Sequence, residues 1–178
     1  MTKMLCCRSM SSSLFALASA LAVATALVSA EKLSKDDQLQ SASRQRSPQA
    51  RQIEGVWDVT VVIRDCQTGG VMRTVRARNM FIRGGTLSEL GALTNPILRG
   101  PGLGTWRYVG GDRYTAVFRF TRFNPDGTFA AIQKVTRTIT LSQDSNTFAA
   151  NAVVELFDVD GNPTAPPGCA TETASRFE

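Results

Sequence analysis

Cys66 and Cys169 are the residues to ask about first, because a thiol can serve as a nucleophile, a metal ligand or half of a disulfide. The chain contains no histidine, which removes the commonest general base and metal ligand and argues against histidine-ligated haem. These are the two cysteines of the mature chain expected beyond a secretory signal, and in an oxidising compartment pairing is the default, so a disulfide between them is the expectation, with no metal and no cofactor. Glu155 and Glu172 are an acid pair that could transfer protons on a lipophilic substrate, as in cyclase enzymes of barrel fold, although no spacing singles them out. Asp158-Val159-Asp160-Gly161-Asn162 resembles the start of a calcium loop but lacks the closing bidentate acid. Arg137 has three readings. It can meet the carboxylate of a fatty-acid-like ligand through a bidentate pair, ion-pair with Glu155, or lie at one end of a barrel.

These residues must be positioned by strands. Ile53 to Cys66 places Gly55, Trp57, Val59, Val61 and Ile63 on one side of an extended segment and Glu54, Asp58, Thr60 and Arg64 mostly on the other. Further strands are expected at about 73–83, 86–90, 105–109, 113–123, 128–141, 147–159 and 169–177. Turn chemistry separates them at Gly69-Gly70, Gly84-Gly85, Gly110-Gly111 and Asn124-Pro125-Asp126-Gly127. No run of ten or more residues carries a helical period. Eight strands in a meander alternate their turns between two ends, and here the first, third, fifth and seventh connections include the long ones. The chain is thus expected to be an all-β, eight-stranded antiparallel up-and-down barrel, stitched tightly at one end and looser at the other. In a closed meander the end of strand one meets the start of strand eight, where Cys66 and Cys169 sit.

The barrel does not begin at the N-terminus. Lys3 and Arg8, the Ala/Leu/Val-rich run from Leu14 to Val28 and the small residues Val28-Ser29-Ala30 read as a secretory signal over residues 1–30. Cys6 and Cys7 precede that run, away from the place of a lipid-anchor cysteine, and the mature chain is expected to have no membrane span. Residues 31–52 are rich in Ser, Gln and charge and are expected to be a disordered linker. Residues 53–178 form the barrel domain. The net charge of +5 is carried mostly outside it: from Ile53 onward 13 basic residues stand against 12 acidic ones, so a nucleic-acid partner is not expected. Arg73, Arg76, Arg78 and Arg83 lack interleaved aromatics and are expected on a solvated face.

Gly55-Val56-Trp57 opening the first of eight meandering strands, with long loops at one end, resembles the lipocalins and their calycin relatives. The likeness spans roughly residues 53–178, although the family's helix before the last strand is missing. The resemblance implies a secreted or periplasmic protein that holds a small hydrophobic ligand inside the barrel, and an arginine packed across the tryptophan, for which Arg176 is the match. The expected pocket residues are Trp57, Val59, Val61, Ile63, Tyr114, Phe118, Phe120, Phe148, Val154 and Leu156, with Trp106 and Tyr108 as aromatic walls and Arg137 on the inner face of strand six. Leu93 to Leu103 is expected as a lid. Two rival readings stay open: an isomerase or cyclase acting on a lipophilic substrate in the same barrel, and a barrel with a filled, non-binding core.

Overall fold

Strands form wherever an apolar side chain recurs at every second position, because only that period gives an extended chain one face to bury. β5 (Arg113–Phe123) illustrates it: Tyr114, Ala116, Phe118 and Phe120 are buried while Arg119 and Arg122 are exposed. The structure, a computed structural model, describes residues 47–177. The expected signal, and the expected linker up to residue 46, lie outside the described residues.

The other strands are β1 (Gly55–Arg64), β2 (Val71–Ile82), β3 (Thr86–Ala92), β4 (Gly102–Gly110), β6 (Phe129–Leu141), β7 (Thr147–Phe157) and β8 (Gly168–Arg176). Each is antiparallel to the next, and β1 pairs with β8 as well as with β2, so the sheet is a closed eight-stranded barrel. The β1–β8 seam runs from Trp57 opposite Arg176 to Arg64 opposite Cys169. Just beyond it Cys66 and Cys169 are joined by a disulfide with 5.2 Å between their Cα atoms, across a sequence separation of 103.

β4 starts three residues earlier than the sequence suggests, for a steric reason. Gly102 and Gly104 look like loop residues but pair with Glu89 and Leu87 of β3. A Cβ on Gly104 would lie 2.0 Å from the Val117 carbonyl oxygen, so β4 approaches β5 as closely as it does only because that side chain is absent.

One end of the barrel is sealed. A 3₁₀ turn, η1 (Ala50–Ile53), crosses it with Ala50 and Ile53 fully buried; the turn begins inside the stretch expected as linker. Above it Trp57, Phe81, Leu87, Trp106, Tyr114, Ile139 and Phe148 pack into a plug, in which the Trp57 and Phe148 rings are 5.0 Å apart and Phe81 meets Phe148 edge-on at 6.1 Å. Burial of each such side chain stabilises the fold by about 1.5–3 kcal/mol. Their polar atoms find backbone partners: Trp57 Nε1 donates to the Ile53 carbonyl at 2.9 Å, Trp106 Nε1 to the Ile82 carbonyl at 2.9 Å and the Tyr114 hydroxyl to the Gln49 carbonyl at 2.5 Å. Burial pushes the Tyr114 phenol up to about 12, so it remains a donor.

Arg176 closes this end from outside. Its guanidinium lies 4.1 Å from the Trp57 ring centroid and donates to the carbonyls of Ser145, Glu54 and Gln52. The same contact explains the glycine of Gly-x-Trp: Gly55 has φ +122°, and a Cβ there would stand 2.7 Å from Arg176 Nη1.

Candidate functional site

The opposite end is organised differently, because three of the four connections that meet there are longer than any at the sealed end. Between them and the plug lies a cavity of about 190 Å³. Its walls are Val59, Val61 and Ile63 of β1, Val75 and Ala77 of β2, Phe118 and Phe120 of β5, Val135 of β6, Ala152 and Val154 of β7 and Ala170 of β8. The alanines leave the room. Ala152 and Ala170 face one another across the β7–β8 pair, where larger residues would meet the opposite wall.

The floor is polar. Asn79, Glu89, Arg137 and Glu172 all line the cavity and all are at most 4% exposed. On each strand the residue one inward step toward the sealed end is apolar: Phe81 after Asn79, Leu87 before Glu89, Ile139 after Arg137 and Ala174 after Glu172. The four therefore form one layer resting on the plug. Arg137 donates from Nη1 to Glu172 Oε2 at 2.8 Å, and its guanidinium lies 4.9 Å from the Phe118 ring centroid and 5.8 Å from that of Phe81. Its Nε and Nη2 have no hydrogen-bond partner among the described residues, and neither atom of the Asn79 amide has one.

Glu89 is paired with Arg99, which comes from the β3–β4 connection and stacks 3.6 Å from the Phe120 ring centroid. Burial raises the Glu89 pKa; the attraction of Arg99 and Arg137 opposes the shift, and the negative charge of Glu172 adds to it. The connection carries a short 3₁₀ turn, η2 (Pro96–Leu98), whose start is fixed by the Asn95 side chain accepting from the Ile97 amide at 3.0 Å. Thr94, Leu98 and Arg99 reach the cavity, while Leu93 and Ile97 point to solvent. Gly100 donates to the Thr121 carbonyl at 2.9 Å, tying the segment to β5 across the mouth.

Of the residues expected to line a pocket, Val59, Val61, Ile63, Phe118, Phe120, Val154 and Arg137 converge on this cavity. Trp57, Trp106, Tyr114 and Phe148 lie in the plug, and Tyr108 packs 5.3 Å from Tyr114 near the Gly110–Gly111 turn, so these five sit at the other end. Leu156 is half-buried and outside the lining. Arg137 pairs with Glu172, whereas Glu155 pairs with Lys134 at 2.7 Å; the two acids that might have acted together have different partners, and only Glu172 lines the cavity. The strand-two arginines divide as well: Arg76 donates to the Thr60 hydroxyl and Arg78 pairs with Asp58, both exposed, while Arg73 stands at the cavity mouth.

Asn79 and Glu89 were not singled out by sequence, yet each was marked there. They are the polar members of otherwise apolar alternating sets, Val75-Ala77-Asn79-Phe81 and Leu87-Glu89. Among the described residues no group of three or more His, Cys, Asp or Glu side chains is placed to hold a metal ion. Asp158 spends its carboxylate on its own turn, accepting from the amides of Asp160 and Asn162. No helix among them is long and apolar enough to cross a membrane. No protein-family model matches the chain, and no curated protein matches it.

Proposed function

We propose that this chain is a secreted or periplasmic lipocalin-like protein that holds a small, mainly apolar ligand in its barrel. The observation that carries the reading is the cavity itself, with aliphatic and aromatic walls, a sealed floor and a mouth framed by the long connections. Its volume of about 190 Å³ is slightly above the roughly 150 Å³ that accommodates benzene in an engineered protein cavity. A ligand of one ring or a short chain suits it, with larger molecules emerging between Arg73, Leu98 and Arg122 at the rim. The disulfide fits an oxidising compartment. Native mass spectrometry of the full chain purified from its source tests the reading. A small molecule that dissociates only on unfolding is expected, and protein that carries nothing and takes up no small apolar compound would overturn it.

Glu89 favours a second reading, proton transfer on a lipophilic substrate. Burial raises the pKa of its carboxyl, which stands in the cavity where a bound molecule would meet it, and a buried acid so placed is a candidate general acid or base. That reading expects carbon-bound hydrogen of the retained molecule to exchange with D₂O in the wild type and not in Glu89→Gln. Equal exchange in both would remove Glu89 from the chemistry.

A further inference from the structure

Buried polar atoms without partners cost about 1–3 kcal/mol each, and the cavity floor keeps four of them. Their arrangement is specific. A guanidinium presents two parallel N–H groups along its Nε–Nη2 edge, and in Arg137 that edge is unpartnered while Nη1 is committed to Glu172. Parallel donors on a fixed plane match the two oxygens of a carboxylate, and a charge-assisted bidentate pair is stronger than any neutral contact the edge could make. Asn79 offers one donor and one acceptor, Nδ2 and Oδ1, and a single hydroxyl satisfies both by accepting from the first and donating to the second.

We propose that the floor is a two-point recognition site for a small apolar hydroxycarboxylic acid, whose carboxylate takes the Nε–Nη2 edge of Arg137 and whose hydroxyl takes the Asn79 amide. The proposal rests on the ligand-binding reading of the cavity. Each floor acid already has an arginine, Glu172 with Arg137 and Glu89 with Arg99, so the cations are not left to bind a doubly charged group. A phosphate would add a second charge and a third oxygen facing those carboxylates; a carboxylate brings one charge and two oxygens. The apolar remainder of the ligand then lies along Val59, Val61, Phe118 and Val154 toward the mouth.

Calorimetric titration of the full chain at pH 7 with propylbenzene, 3-phenylpropanoate and 3-phenyllactate tests this. Binding is expected to strengthen in that order, by about tenfold at each step. Asn79→Leu should bring 3-phenyllactate down to 3-phenylpropanoate and leave the latter unchanged. Arg137→Met alone strands a buried carboxylate, so the informative variant is Arg137→Met/Glu172→Leu, which removes both charges; it should still bind propylbenzene and lose the preference for acids. If propylbenzene binds the wild type as tightly as the acids, the headgroup proposal fails and the cavity reading survives. Two acids of equal affinity overturn the hydroxyl contact and with it the two-point site. If none of the three binds, the two-point site falls, and the cavity reading is decided separately by the native mass spectrometry above.

Discussion

Asn79 and Arg137 keep buried polar atoms without hydrogen-bond partners on the cavity floor. Asn79 is 1% exposed and has no hydrogen-bond partner, so replacing its amide with the similar volume of leucine removes a desolvation penalty. Asn79→Leu is expected to raise the unliganded stability by about 1–2 kcal/mol in urea titration; a loss of that size would mean that the amide bonds within the fold. Arg137 behaves oppositely. Arg137→Met leaves Glu172 buried and uncompensated and should cost about 3–5 kcal/mol, most of it regained in Arg137→Met/Glu172→Leu. Glu89 gives the pH dependence a sign. Its carboxyl has a folded pKa above the unfolded one, so only in the pH range between those two values does the native state hold a proton that the unfolded chain has released. Stability contributed there is complete below the ordinary glutamate range and is lost as pH rises through the raised value. Chemical denaturation across mildly acidic pH should show wild type falling relative to Glu89→Gln; parallel curves would contradict the assignment. The inner location of these side chains was legible from parity, because a polar residue in an alternating apolar set has only one side to occupy. Their partners were not: whether Arg137 meets Glu155 or Glu172 depends on strand register, which alternation does not encode.

At the scale of elements, the two barrel ends are held by different means. The sealed end depends on η1 and Arg176 and the open end on the disulfide, while turns closed by aspartates stand at both, Asp144 at the sealed end and Asp65, Asp126 and Asp158 at the open one. Reducing Cys66–Cys169 frees a loop of 103 residues at the β1–β8 seam and should lower stability by roughly 2–5 kcal/mol, read as a shift of the urea midpoint. Four exposed aspartates have lowered pKa values from local hydrogen bonds: Asp65 from the Thr68 amide, Asp126 from the Thr128 hydroxyl, Asp144 from the Ser142 hydroxyl and Asp158 from the Asn162 side chain. Their contribution is present above the ordinary aspartate range and fades as pH falls through the depressed values, opposite in direction to Glu89. The strands, the tight glycine turns and the looser end were all readable from spacing. β4 was cut short because Gly102 and Gly104 carry the signature of a loop, and only the Val117 backbone lying against Gly104 shows why a strand needs them. η1 has no local sequence signal, because Ala50 and Ile53 bury themselves against a plug that exists only once the barrel has closed.

For the whole molecule, closure was legible because two cysteines fell at the two places a closed meander must bring together. Depth was not. Alternation tells which side chains face inward but not how far along the axis each lies, since that follows from strand tilt and stagger. Hence alternation alone does not separate Trp57, Trp106 and Tyr114, which seal one end, from Val59, Phe118 and Val154, which wall a cavity. Ala152→Leu should occupy that cavity without disturbing the plug, leaving the unfolding free energy within about 1.5 kcal/mol of wild type and abolishing uptake of 3-phenylpropanoate. The most direct test is methyl-resolved NMR of the wild-type barrel during titration with 3-phenylpropanoate. The valine methyls of residues 59, 61, 135 and 154 should shift together and saturably, while those of Leu87, Ile139 and Leu141 in the sealed end stay still. Unmoved cavity methyls, or shifts confined to the exposed Leu90 and Leu103, would contradict an interior binding site.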